Sequence, residues 1–140
     1  MTNNAEGIAA DSSPPRPRAI VAGHGDFATG LISAVQQISG LGDVFLPLSN
    51  AGLSAEDIEN RYREEASASG VHVFFTDLPG GSATLAVRRI MRVDPEMVLI
   101  TGANLATLLE FVFQPDSDPR EAALRAAEKG KAALAVFGGP

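Results

Sequence analysis

The chain has no cysteine. Disulfide staples and thiolate metal sites are therefore excluded. Positive charge is also scarce: 11 Lys and Arg stand against 17 Asp and Glu, and no basic run exceeds the pair Arg88-Arg89. Binding to a phosphate backbone needs a concentrated basic face, so nucleic acid is not the expected partner. No apolar stretch approaches the roughly 20 residues that cross a bilayer. The N-terminus is polar and lacks a basic stretch followed by an apolar one, so no secretory signal is read there and the expected location is the cytoplasm. No internal repeat is present.

What remains is ordinary for a soluble domain. The 140 residues with 45% hydrophobic content suit one domain with one real core. Residues 1–17, rich in Asn, Ala, Ser and Pro, read as a flexible tail, and the folded domain is expected over 18–140. The apolar run Ala19–Ala22 stopped by Gly23 suits a buried parallel strand. Phe27, Leu31, Ala34, Val35 and Ile38 recur at helical spacing up to Gly40. A second strand is expected over Val44–Leu48, weakened by Pro47, and a helix from the Ser54/Asp57 N-cap pattern to about Ser69. Val71–Thr76 and Met97–Thr101 read as the third and fourth strands, and between them Gly80-Gly81-Ser82 leads into a helix through about Met91. Helices follow over Leu105–Phe113 and Arg120–Leu134, and Ala135–Phe137 reads as a short strand or a frayed end. This alternation predicts an α/β doubly wound, mainly parallel sheet with helices on both faces.

Three of the predicted strands end in loops with chemistry: Gly23-His24-Gly25-Asp26, Asp77-Leu78-Pro79-Gly80-Gly81-Ser82, and Gly102-Ala103-Asn104. In open α/β sheets ligands bind outside the carboxyl ends of the strands, where the winding reverses. With strand order 2-1-3-4, His24 and Asp77 meet at that reversal. A carboxylate accepting one imidazole N–H fixes the tautomer and aims the other nitrogen's lone pair outward, where it can attack phosphorus. The same carboxylate favours the cationic ring that phosphorylation creates. Gly80, Gly81 and Ser82 supply an anion site from converging backbone N–H groups, a helix N-terminus and one hydroxyl. Gly25 and Asn104 are placed on the rim. Each residue also has a plain structural reading as a turn or capping residue; their convergence at adjacent strand ends favours a site. Nothing singles out Asp26 or Glu110, and His72, inside a predicted strand, reads as structural.

These segments also resemble a known family. IVAGHGDFATGL (residues 20–31), FFTDLPGGSA (74–83) and VLITGANLATLLE (98–110) are similar to the active-site segments of mannose-class enzyme IIA components of the sugar phosphotransferase system. The wording is closest to the N-acetylgalactosamine-type branch, and the resemblance covers about residues 18–135. It implies a phosphoryl carrier that takes phosphate from the phosphocarrier HPr onto His24, with Asp77 as its partner, and passes it to a IIB subunit on a separate chain. Membrane IIC and IID subunits then act on the sugar. It also implies no cofactor, no metal at the site, and a homodimer made by exchanging an antiparallel C-terminal edge strand. Ala83 and Leu85 depart from the family pattern, which usually has Pro and a polar residue there. Two other functions fit the same motifs: a regulatory phosphohistidine-bearing module that moves no sugar, and the phosphoryl-donor subunit of dihydroxyacetone kinase, whose loop differs more. A flavodoxin-like ligand-binding domain is the plain alternative.

Overall fold

The run Ala19–Gly23 forms the first strand, β1, and is buried along its whole length. A computed structural model describes residues 17–140, so the tail expectation for residues 1–16 lies outside the described residues. After β1 come α1 (Phe27–Ser39), a single 3-10 turn (Gly42–Val44), β2 (Phe45–Ser49), α2 (Ala55–Ser69), β3 (Val73–Thr76), α3 (Ser82–Met91), β4 (Val98–Ile100), α4 (Leu105–Val112) and α5 (Pro119–Ala133). All pairings are parallel and the order is β2-β1-β3-β4, as expected. β1 therefore lies between β2 and β3, and the winding reverses between β1 and β3.

Alternation along the strands divides the apolar residues between two cores. Ala19, Val21, Val73, Phe75 and Ile100 face one side, where they meet Val35 of α1, Leu108 and Phe111 of α4, and Ala122, Ala123 and Ala126 of α5. Ile20, Ala22, Leu48 and Phe74 face the other, against Ile58 and Tyr62 of α2 and Ala86, Val87 and Ile90 of α3. Three layers result, with the strand ends free at the top to carry loops.

Local signals set the boundaries. Gly40 and Gly70 end α1 and α2 in the left-handed region. The Ser54 hydroxyl accepts the Asp57 N–H and starts α2. Pro47 is tolerated because β2 is an edge strand with a free donor side. The third strand begins at Val73 rather than Val71, because the Val71 N–H closes α2 by donating to the Ala66 carbonyl. His72 thus precedes the strand and is exposed at the end of the sheet away from the loops above, though its carbonyl accepts the Val98 N–H. The fourth strand stops at Ile100: Gly102, at φ 63°, turns the chain so that the Ala103 N–H reaches the Thr76 carbonyl. Residues 134–140 form neither helix nor strand here.

Candidate functional site

The β1–β3 register pairs Ala22 with Thr76, so the next residues, Gly23 and Asp77, leave the sheet side by side. Their closeness depends on glycine. A Cβ on Gly23 would lie 2.7 Å from Asp77 Cγ and Oδ2. With that space open, the Asp77 carboxylate reaches under the next residue of β1's loop. Its Oδ2 accepts the His24 main-chain N–H at 2.9 Å and lies 2.7 Å from His24 Nδ1. The other oxygen, Oδ1, is sealed without a hydrogen-bond partner.

The two partners differ in exposure. The His24 side chain is 60% exposed and that of Asp77 11%. Burial pushes the Asp77 pKa up, but the hydrogen bonds from the His24 main chain and ring, with the ring's charge, outweigh it and hold the group below its ordinary value. An ionised Asp77 accepts the Nδ1–H and leaves the lone pair on Nε2, on the exposed side of the ring.

The remaining loop residues follow from the start of α3. The buried Thr76 hydroxyl donates to the Thr84 hydroxyl at 2.7 Å, and that hydroxyl in turn donates to the Leu78 carbonyl, tying the Asp77–Ser82 loop to both β3 and α3. Gly81 is the N-cap of α3, and Ser82 is the first helical residue with no side-chain capping bond. Gly81 comes so close to the ring that a Cβ there would lie 3.3 Å from His24 Cε1. The N-terminus of α3, with its free amides, therefore begins beside ring carbon Cε1, which lies between the two ring nitrogens. Gly80 has open space around it and an ordinary φ, so nothing local demands glycine there.

A hollow of about 160 Å³ opens beside the ring, lined by His24, Gly25, Asn50, Ala51, Leu53, Ile58 and Ser82. Gly25 turns the chain at φ 49° and belongs to this rim. Asn104 does not line it. Its Oδ1 accepts the Thr107 N–H in a capping box that starts α4, and its Nδ2 donates to the Gly130 carbonyl of α5. Both ends of its amide are thus engaged in structure, which corrects its placement on the rim. Asp26 and Glu110 do not line the hollow either. The residue that does, and that sequence reasoning missed, is Asn50 in the loop after β2. The available signal was the polar break Ser49-Asn50-Ala51-Gly52 at a fourth strand end, beside the other edge of β1. Among the described residues no group of His, Cys, Asp and Glu is spaced to hold a metal ion. No helix among them is long and apolar enough to cross a membrane.

The model of the PTS system fructose IIA component family, of the mannose type, matches residues 18–128. The chain belongs to this family. Its fold recurs in other IIA proteins. The mannose/sorbose-specific IIA subunit from Enterococcus faecalis superimposes with a TM-score of 0.76 at 22% identity, over 90% of this chain and 98% of that one. The IIA protein associated with the fucose utilization operon of Streptococcus pneumoniae gives 0.73 at 20% identity, over 86% and 93%. A sigma-54 interaction domain protein from Enterococcus faecalis shares the fold more distantly, with a TM-score of 0.63 at 14% identity over 86% and 94%. No curated protein matches the sequence significantly. The structural likenesses speak to the fold, and the family model places this chain among the mannose-class IIA components without singling out the N-acetylgalactosamine-type branch. In this IIA protein the His24 and Asp77 loops sit at the reversal of winding.

Proposed function

We propose that this IIA protein carries a phosphoryl group on His24 Nε2, taking it from phospho-HPr and passing it to a separate IIB subunit. IIC and IID subunits in the membrane then use it to phosphorylate incoming sugar, and this chain works beside them in the cytoplasm. The observation that carries this reading is the 2.7 Å contact of His24 Nδ1 with Asp77 Oδ2, which leaves Nε2 free on an exposed ring.

The step balances without a cofactor. The Nε2 lone pair forms the new N–P bond as the donor histidine's N–P bond breaks, and the donor nitrogen keeps that electron pair. His24 becomes a cation that retains its Nδ1 proton, and the Asp77 carboxylate facing that proton favours it. The helix N-terminus at Gly81 and the Ser82 hydroxyl offer donors to the phosphoryl oxygens, where charge spreads in the transition state. Passing the group on reverses these moves toward the IIB acceptor.

We also propose a two-fold homodimer. Among the described residues β4 has no partner on its outer edge, and Leu134, Val136 and Phe137 are almost wholly exposed. A bare edge beside a bare apolar segment invites pairing between copies.

The deciding experiment is incubation with purified enzyme I, HPr and phosphoenolpyruvate, followed by mapping of the modified residue. His24→Ala should abolish uptake and His72→Ala should leave it near normal. Label that persists without His24 would refute the assignment. Phosphate that enters but never reaches any IIB protein would point to the regulatory module instead.

A further inference from the structure

Asn50 is only 9% exposed, yet it lines the hollow beside His24. Its position is fixed three ways. Its main-chain N–H donates to the Gly23 carbonyl at 3.3 Å, tying it to the residue before His24. Its own carbonyl accepts the Leu53 N–H at 3.2 Å. Its side-chain Oδ1 accepts the hydroxyl of the fully buried Tyr62 at 3.3 Å. The Tyr62 hydroxyl thereby anchors the side-chain amide, with Oδ1 turned toward it. The opposite end, Nδ2, has no hydrogen-bond partner among the described residues, and it is not among the atoms sealed from solvent without one. With Oδ1 on Tyr62, Nδ2 is the end of the amide left to serve the hollow that Asn50 lines.

The rest of that lining decides what the donor is for. Ala51, Leu53 and Ile58 are apolar, Gly25 has no side chain, and among the described residues no carboxylate lines the space. Besides the His24 ring, its side-chain polar groups are Ser82 and Asn50. Two neutral donors beside a nucleophilic nitrogen, with no negative charge among the lining residues, suit an anion. We propose that Asn50 Nδ2 donates a hydrogen bond to a phosphoryl oxygen once the group is on His24, from the side opposite the Gly81 helix terminus, with Tyr62 as the residue that positions it. This rests on the phosphoryl-carrier reading above and adds the loop after β2 to the site.

The test uses the full chain loaded by enzyme I, HPr and phosphoenolpyruvate. Two readouts are taken: the rate of phosphate uptake, and the Asn50 side-chain amide resonances before and after loading. Loss of one donor to a charged oxygen should slow uptake by Asn50→Ala about ten- to a hundredfold. Asn50→Asp should fall further, because its carboxylate repels the phosphoryl oxygens. Tyr62→Phe should lose less than Asn50→Ala, since the donor remains but is no longer aimed. In the wild type the Asn50 amide protons should shift on loading. Resonances that stay put, or folded Asn50 variants with wild-type rates, would overturn the proposal. If Asn50→Ala fails to fold, the wild-type resonances and Asn50→Asp decide. A wild-type chain that takes up no phosphate would instead defeat the carrier reading beneath it.

Discussion

At the scale of single residues, the site depends on one carboxylate doing two jobs with one oxygen. Asp77 Oδ2 holds both the main chain and the ring of His24. Asp77→Asn keeps the shape but loses the charge that favours the phosphorylated ring, and transfer should fall by roughly 10²-fold or more. The same substitution has a signature in pH. The folded-state pKa of Asp77 lies below its ordinary value, so the stabilisation is complete above the unfolded value of about 3.9 and is lost as pH falls through the lower folded value. The gap in melting temperature between wild type and Asp77→Asn should therefore be full near neutrality and shrink in acid. A gap that stays constant from pH 7 down to 2 would mean the ionised form contributes nothing. Close to His24, the two glycines of the loop should behave differently. Gly81→Val suits the local backbone, φ −74° and ψ 172°, but its side chain crowds the ring. Gly80→Ala meets open space and should transfer phosphate normally. Transfer should drop most in Gly81→Val, less in Ser82→Ala and least in Gly80→Ala, with all three folded; equal rates would leave the loop with no more than a capping role. The nearness of His24, Asp77 and the Gly-Gly-Ser turn was legible in the sequence because their loops follow predicted strands of one sheet. Asn50 was not, because its place beside the ring depends on contacts distant in sequence, its N–H on the Gly23 carbonyl and its Oδ1 on the Tyr62 hydroxyl. Nor was the need for Gly23, which arises from a side chain on a different strand.

At the scale of elements, helix existence was legible from spacing and caps, while strand ends were not. Val71 belongs to the β-branched run yet spends its N–H on closing α2, and only the structure shows that competition. Alternation pointed to a parallel sheet, and with the order 2-1-3-4, which the structure has, His24 and Asp77 were expected to meet. The Asn104 misplacement has the same origin as the strand ends: an Asn after a strand reads equally as a ligand or a cap, and here the capping box takes it. That cap also joins α4 to α5, because Asn104 Nδ2 donates to the Gly130 carbonyl. At this crossing a Cβ on Gly130 would overlap the Thr107 methyl group and sit 3.2 Å from Asn104 Oδ1. Glycine costs a helix interior up to about 1 kcal/mol, so its presence in α5 reflects this contact rather than helix propensity. Gly130→Ala should therefore destabilise the protein, by about 1–3 kcal/mol as for other overpacked interiors, despite alanine's better helix propensity. Chemical denaturation checks this, and a variant as stable as or more stable than wild type would show that α5 shifts freely over α4.

At the scale of the whole molecule, the described residues leave the sheet unfinished on the β4 side. Two hollows flank that edge, one on each face. The larger, about 720 Å³, lies against α3 and is lined by Pro79, Leu85, Arg88, Met91, Leu99 and others. The smaller, about 250 Å³, lies against α5 between Val98, Ile100, Leu124 and Ala127. A strand added to β4 would send alternate side chains to the two faces. The segment after α5 has the composition for it: Leu134, Val136 and Phe137 are 84%, 93% and 92% exposed, far more than their size warrants in a chain that acts alone. Exchange of this segment between two copies would cover both edges at once by a closed two-fold operation, without leaving a new edge to propagate. The full chain should therefore sediment as a dimer at micromolar concentration, and a variant ending at Ala133 should sediment as a monomer. The variant should still accept phosphate on His24, because none of the residues lining the hollow beside that ring comes from the deleted segment. A full chain that runs only at 14.5 kDa would remove the case for exchange. A truncated chain that remains dimeric would move the interface to another face and leave the apolar end of the chain without a role.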